Sequence, residues 1–152
     1  MKVKGFGQAK VLSQGELERL FQWGFTNKRD LCLFSICLHT GCRISEALAL
    51  TVADVRGGHI TLRKIVTKGK KKTRTIPMNE RLQAVLEGYL KEYKPKSYLF
   101  PSHHNAKVPK SMTRAAADLI LREACERVGL EGVSTHSFRR TALTQMHNAG
   151  VP

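Results

Sequence analysis

One apolar segment constrains the fold of this chain more than any other feature of its sequence. From Leu31 through Leu38 the residues read LCLFSICL, so nearly every position is apolar. Asn27 can cap the start of a helix that carries this segment, and Gly41 can end it. A helix that is apolar nearly all round must be buried nearly all round. We therefore predict a central core helix, which is too short for the roughly 20 residues that cross a bilayer.

Capping residues and helical periodicity predict further helices around this one. Ser13 and Glu16 fit the capping box of a first helix, with Leu17, Leu20 and Phe21 on its apolar face. Three more helices are predicted from Asn79 to about Lys94, from Ser111 to near Gly129 and from Ser134 to Ala149.

Three short strands complete the predicted fold. They are expected at Thr51 to Val55, His59 to Val66 and Lys72 to Met78, with a turn at residues 68–70 joining the last two into a hairpin. The expected fold class is α+β, mainly α, with a small antiparallel three-stranded sheet. We expect a single domain over residues 1–152, in which residues 1–12 form a loose arm.

The balance of charge points to a polyanionic partner. The chain has 26 Lys and Arg against 12 Asp and Glu, a net charge of +14. Nucleic acid is the leading partner class, and an anionic membrane surface is the alternative. The charge is densest in residues 63–74, which hold seven basic residues and no acid, and a two-stranded hairpin can enter a DNA groove. The candidate DNA contacts there are Arg63, Lys64, Lys70, Lys71, Lys72 and Arg74.

The cysteines and histidines do not suggest a metal or cofactor site. Four cysteines occur without a CxxC pair, and three lie in or beside the apolar segment, which indicates buried thiols in a reducing cytoplasm. His103 and His104 fall in a predicted loop with no neighbouring carboxylate. Glycine motifs that cradle nucleotide phosphates are also missing, so neither a cofactor nor nucleotide hydrolysis is predicted.

Two short motifs place charged groups together. Arg43 begins a short helical turn, and Glu46 lies three residues later on the same face, where its carboxylate can hold the guanidinium. His136 and Arg139 have the same spacing on the last helix, and such a pair suits a phosphodiester. Each motif alone also fits a capping turn with a surface ion pair, or a chance match.

Taken in order, these motifs resemble the active-site boxes of the tyrosine recombinase (phage integrase) family. The matching segments are TGCRISEAL, the basic hairpin with TKGKKKTRTIP, and THSFRRTALTQMHNAG, and the resemblance runs from about Ser13 to Pro152.

The resemblance implies metal-independent cleavage and rejoining of double-stranded DNA through a 3′-phosphotyrosyl bond. It implies that Arg43 and Arg139 bind the nonbridging phosphate oxygens and that His136 assists proton transfer or phosphate binding. It also implies that Lys68 protonates the departing 5′-oxygen, although Lys70, Lys71 and Lys72 lie within reach of the same turn, and that Glu46 holds the first arginine.

The chain departs from the family pattern in three places. Arg140 stands where the family commonly has His, and we expect it to add a phosphate contact. The family's nucleophilic tyrosine follows the second arginine by some tens of residues, whereas Pro152 is 13 residues after Arg139, and the family's N-terminal DNA-clamping domain is also missing. We therefore expect a cytoplasmic, nucleoid-associated catalytic domain that binds DNA without cleaving it. It would be a monomer in solution, and the full-length form a tetramer on DNA.

Other functional classes stay open from the sequence. A noncatalytic DNA-binding remnant or regulator would have the same charge pattern. A type IB topoisomerase arranges arginine, lysine and histidine in a similar way. An RNA-binding protein is a weaker alternative, because exposed aromatic pairs for base stacking are not evident.

Overall fold

Six α-helices and one β-hairpin make up the described part of the chain. The computed structural model describes residues 9–65, 71–102 and 107–148. The helices are α1 (Gln14–Arg19), which continues into a π-helical turn at Leu20–Gly24, α2 (Lys28–Thr40), α3 (Ile44–Leu48), α4 (Glu80–Tyr93), α5 (Arg114–Val128) and α6 (Thr135–Asn148). The strands are β1 (His59–Ile65) and β2 (Lys71–Pro77), and a 3₁₀ helix covers Val52–Val55. Within the described ranges, no helix is long and apolar enough to cross a membrane.

The predicted central helix is confirmed as α2. Asn27 caps it by accepting a hydrogen bond from the Asp30 N–H, and Gly41 ends it in the left-handed conformation at φ 69°. The helix packs against α3, α4 and α6. Leu33 and Phe34 are completely buried, as the apolar segment required.

An aromatic cluster sets the position of α6 against this central helix. The rings of Phe34 and Phe138 lie 5.2 Å apart, and Phe21 meets Phe138 edge-on at 6.0 Å. Both arrangements fall in the favourable range for aromatic pairs. Because Phe138 is completely buried, the rotation of α6 about its own axis is determined.

The hairpin is confirmed, but the third predicted strand is wrong. β1 and β2 pair antiparallel, with His59 opposite Pro77 and Leu62 opposite Arg74. Residues Val52–Val55 instead form the 3₁₀ helix, and Asp54 caps it by accepting the N–H of the N-cap residue Thr51 at 2.9 Å. Thr51 makes only an isolated bridge, to Tyr98, and does not join the hairpin. The described sheet therefore has two strands.

Two further boundaries differ from the sequence prediction. Thr113, not Ser111, caps α5 by accepting the Ala116 N–H, so that helix begins at Arg114. Residues 9–12 are attached to the body of the domain and are not a loose arm. Leu12 is buried, and its N–H donates to Thr141 Oγ1 at 2.9 Å. Residues 1–8 lie outside the described residues.

Candidate phosphate-binding site

The first part of the site is the tight connection between α2 and α3. Gly41 donates its N–H to the carbonyl of Cys37, and a Cβ at Gly41 would lie 3.4 Å from Ala142 Cβ on α6. This close approach of the two helices brings the next residues near α6. Arg43 is the N-cap residue of α3 and is exposed. Its backbone N–H donates to Glu46 Oε1 at 3.0 Å, so the carboxylate caps the helix that Arg43 begins.

The hairpin contributes a second arginine to the same carboxylate. Arg74 Nη2 on β2 donates to Glu46 Oε2 at 2.9 Å. The Arg74 side chain is 44% exposed, whereas that of Glu46 is 7% exposed. Arg74 therefore reaches from the solvent-facing hairpin to a nearly buried acid.

The last helix contributes a third arginine. Ser137 and Phe138 are completely buried, so α6 directs its other face outward. On that face Arg139 Nη1 lies 4.0 Å from Glu46 Oε1, and 34% of the Arg139 side chain is exposed. His136 is exposed one turn earlier and makes no hydrogen bond within the described part of the chain. We call Arg43, Glu46, Arg74 and Arg139 the Glu46 cluster.

The charges of the Glu46 cluster do not balance. Burial by itself raises the pKa of Glu46. The hydrogen bonds from Arg43 N–H and Arg74, with the charges of both guanidiniums, outweigh burial and leave the pKa below its ordinary value. The acid is therefore ionised at neutral pH. The guanidiniums of Arg74 and Arg139 lie within ion-pair distance of this one carboxylate, whereas Arg43 bonds to it through its backbone N–H and contributes the charge of its side chain from further away. The surplus of positive charge suits an anionic ligand.

Two other predicted DNA contacts have partners within the protein. Arg63 Nη1 on β1 pairs with Asp54 Oδ1 at 2.5 Å, although 57% of the Arg63 side chain is exposed. Arg140 Nη1 donates to the carbonyl of Ala9 at 2.7 Å and is half-buried. Contact of either residue with DNA stays a prediction.

The lysines of the basic segment are only partly covered by the structure. Lys64 belongs to β1, and Lys71 and Lys72 belong to β2. Lys68 and Lys70 lie outside the described residues, so the general acid expected at the turn stays a prediction.

Sequence reasoning missed Asp54 as a partner of the hairpin. Asp54 is buried, caps the 3₁₀ helix with one oxygen and pairs with Arg63 through the other. The signal was present, because Thr51 and Asp54 have the spacing of a capping box. The pairing of Arg74 with Glu46 had no comparable local signal.

The tyrosines and cysteines lie in or beside the core. Tyr89 is buried, its hydroxyl donates to the carbonyl of Leu99 at 2.6 Å, and burial raises the pKa of this phenol. All four cysteines are free and buried, which confirms the predicted burial of the three in or beside the apolar segment. No group of three or more His, Cys, Asp or Glu residues in the described ranges could hold a metal ion.

An apolar groove of about 680 Å³ is separate from the Glu46 cluster. It lies between α1, α2, α4 and α6, and Leu17, Phe21, Leu38, Val85 and Met146 are among its lining residues. None of the predicted site residues that the structure describes lines it.

Comparison with solved structures identifies the fold. The chain resembles the crystal structure of XerA recombinase with a TM-score of 0.78 and 23% identity, over 94% of this chain and 52% of that one. It resembles the Tn1549 transposon integrase in complex with circular intermediate DNA with a TM-score of 0.74 and 19% identity, over 97% of this chain and 55% of that one. The fold is that of the DNA recombinases, and the predicted mainly helical α+β class is confirmed.

Sequence comparison then identifies the family. The family model described as "Phage integrase family" matches residues 10–152. The probable integrase/recombinase YoeC of Bacillus subtilis (strain 168) is 38% identical over 116 residues, which cover 76% of this chain and 61% of YoeC. The chain belongs to the phage integrase, or tyrosine recombinase, family. It spans between half and two-thirds of the length of these relatives.

Proposed function

We propose that this chain is the catalytic core of a site-specific DNA recombinase and holds a scissile phosphate between Arg43 and Arg139. The observation that carries the proposal is the Glu46 cluster. One buried carboxylate joins the turn of Arg43, the hairpin residue Arg74 and the helix of Arg139. These segments are distant in sequence, and they correspond to the three motifs of the family resemblance.

The proposed chemistry follows from the properties of guanidinium groups. In phosphoryl transfer, negative charge develops on the nonbridging oxygens. Two permanently protonated, fork-shaped donors can stabilise that charge without a metal ion. A tyrosine oxygen would bond to phosphorus and give up its phenolic proton to solvent or a neighbouring base, while the bond from phosphorus to the 5′-oxygen breaks and that oxygen takes a proton from Lys68. His136 would assist proton transfer or phosphate binding. In the reverse step the 5′-hydroxyl of another strand would bond to phosphorus and return its proton to Lys68, and the phosphotyrosyl bond would break to release the reprotonated tyrosine.

Duplex DNA is the proposed partner. The net charge of +14 and the basic residues of the hairpin would neutralise backbone phosphates. The related Tn1549 integrase was solved in complex with DNA, which supports the same partner class for this chain.

None of the tyrosines of this chain is a good candidate for the nucleophile. Tyr89, Tyr93 and Tyr98 all precede His136, and the Tyr89 hydroxyl is committed to Leu99 in the core. The ring centroids of Tyr89 and Tyr93 lie 5.0 Å apart, and the backbone of Tyr98 forms a β-bridge with that of Thr51. We therefore expect these 152 residues to bind DNA without forming a covalent bond to it.

Two measurements test the proposal. Affinity for duplex DNA, measured by fluorescence anisotropy, should fall with a slope of about −4 to −5 in log K against log salt if about five phosphates are neutralised. A slope near zero would contradict DNA binding through the basic hairpin. Incubation with nicked target-site DNA should give no covalent band under denaturing conditions, whereas a chain extended to include a tyrosine after Arg139 should give one.

A further inference from the structure

Both oxygens of the Glu46 carboxylate are engaged by different parts of the fold. Oε1 accepts from the backbone N–H of Arg43 at 3.0 Å, and Oε2 accepts from Arg74 Nη2 at 2.9 Å. A nearly buried carboxylate is costly unless it is paired and hydrogen-bonded. The identity of its cationic partner is therefore energetically important.

Arg139 lies at the limit of ion-pair distance from this carboxylate and outside hydrogen-bonding distance. Its Nη1 is 4.0 Å from Oε1, beyond the range of about 2.7–3.2 Å for N–H···O hydrogen bonds. Arg139 is thus close enough to be attracted by the negative charge of Glu46, but it donates no hydrogen bond to that carboxylate and can donate to another acceptor. If Arg74 were removed, Oε2 would lose its guanidinium and Arg139 would be the cation of α6 nearest to replace it.

We propose that Arg74 is a positioning residue, which satisfies Glu46 and thereby keeps the Arg139 guanidinium available to bind a phosphate. The inference rests on the proposed function, because it takes the ligand of Arg139 to be a phosphate. It differs from the sequence prediction, in which Arg74 contacts DNA directly. If Arg74 contacted DNA directly, the effect of substituting Arg74 would be the same with or without the Glu46 carboxylate. If Arg74 is a positioning residue, that effect requires the Glu46 carboxylate.

Arg63 provides a matched control on the partner strand. Like Arg74 it is an exposed hairpin arginine that pairs with a buried helix-capping acid, in this case Asp54. Within the described residues, Arg63 is the one guanidinium that pairs with Asp54. Loss of Arg63 should therefore remove a similar charge and ion pair without changing the state of Arg139.

The first arm of the test needs no ligand. In the ¹⁵N-labelled 152-residue chain, the Arg139 Nε–H signal is assigned by its loss in Arg139→Lys. Arg74→Ala should shift this signal, because Arg139 moves onto Glu46. The shift should vanish in Arg74→Ala/Glu46→Gln, where the carboxylate is gone but an oxygen still accepts the Arg43 N–H. Arg63→Ala should leave the signal in place.

The second arm titrates inorganic phosphate into the same variants. Arg74→Ala should weaken phosphate binding by about tenfold, the equivalent of one charge-assisted hydrogen bond. Adding Glu46→Gln to Arg74→Ala should restore most of the affinity. Arg74→Lys keeps a charge but loses the planar fork, so its phosphate affinity should fall between those of wild type and Arg74→Ala. If Arg74→Ala does not fold, as shown by loss of its dispersed amide spectrum, the affinity of Arg74→Lys is the test.

The outcomes separate this inference from the proposed function. An unmoved Arg139 signal in Arg74→Ala, or a double variant as weak as Arg74→Ala, would overturn the positioning role. So would a drop of about one in the salt slope for duplex DNA together with unchanged phosphate affinity, which marks Arg74 as a direct contact. If the Arg139 signal moves as expected but the wild-type chain binds no DNA, the positioning role stands and the proposed function fails.

Discussion

Arg139 Nη1 lies 4.0 Å from Glu46 Oε1, which places the outer face of α6 beside the short helix that Arg43 begins. The separation leaves Arg139 influenced by the acid but not hydrogen-bonded to it. About a third of the Arg139 side chain (34%) is exposed to solvent. Arg139 therefore lies beside the acid of the Glu46 cluster and is still partly open to solvent.

Arg139→Ala should affect catalysis much more than DNA binding. Loss of one phosphate contact among about five should lower the salt slope for duplex DNA by only about one. Strand cleavage by a chain extended to include the tyrosine should fall on the order of a hundred- to a thousandfold, because a transition-state donor is lost. Anisotropy titrations and cleavage rates measure the two effects. As a control, Arg81→Ala removes the same charge from the lining of the apolar groove and should leave the cleavage rate unchanged. An equal loss of cleavage rate in the two variants would contradict the proposed binding of the scissile phosphate by Arg139.

Glu46→Gln should make the free energy of unfolding less dependent on pH in the acidic range. The pKa of Glu46 is lowered in the folded protein, so its ionised form stabilises the fold above the ordinary value of 4.5, and this stabilisation is lost as pH falls through the lower folded pKa. Urea unfolding between neutral and acidic pH should show a less stable variant at pH 7 with a shallower acid loss. Some dependence should stay, because the hydrogen bond from Lys10 also lowers the pKa of Glu16. An equally steep loss in wild type and variant would refute a lowered pKa at Glu46.

Thr141→Val should loosen the segment that precedes α1. The substitution leaves the buried Leu12 N–H without its acceptor, at a cost of about 1–3 kcal/mol in the free energy of unfolding. Thr141→Ser keeps the hydroxyl and should cost less. Amide hydrogen exchange at Leu12 provides a local measurement, and equal exchange in the Val and Ser variants would show that the hydroxyl does not hold this segment.

Gly24→Ala should be destabilising, whereas Gly15→Ala should not. A Cβ at Gly24 would lie 2.8 Å from Leu20 Cδ1 and 3.1 Å from the carbonyl oxygen of Ala124, which joins the π-helical turn closely to α5. Overpacking of this kind costs about 1–3 kcal/mol. Gly15 has open space around its Cβ position within α1, so Ala there should stabilise by about 0.5–1 kcal/mol. Thermal unfolding of the two variants checks the contrast, and similar melting temperatures would contradict the close packing at Gly24.

Most of the helical framework could be predicted because its signals are local. The buried segment, its Asn27 cap and its Gly41 end identify α2, and the capping box at Ser13 identifies the start of α1. The hairpin follows from alternation on either side of a basic turn. The strand prediction at Thr51 to Val55 is wrong because this short segment resembles a strand in its side chains, whereas Asp54 stands at the position that caps a helical turn.

The sequence by itself determined which segments become helices, which pair as a hairpin and which motifs carry the charges, because caps, periodicity and turns act between residues a few positions apart. It could not show that Arg74 would pair with Glu46, that Arg140 would hold Ala9, or that Arg139 would lie at the edge of the same carboxylate. Those contacts join residues far apart in the chain. Only the packing of α6 on α2, and of the hairpin beside α3, decides which side chains meet, because a buried carboxylate takes whichever cation the folded structure brings to it.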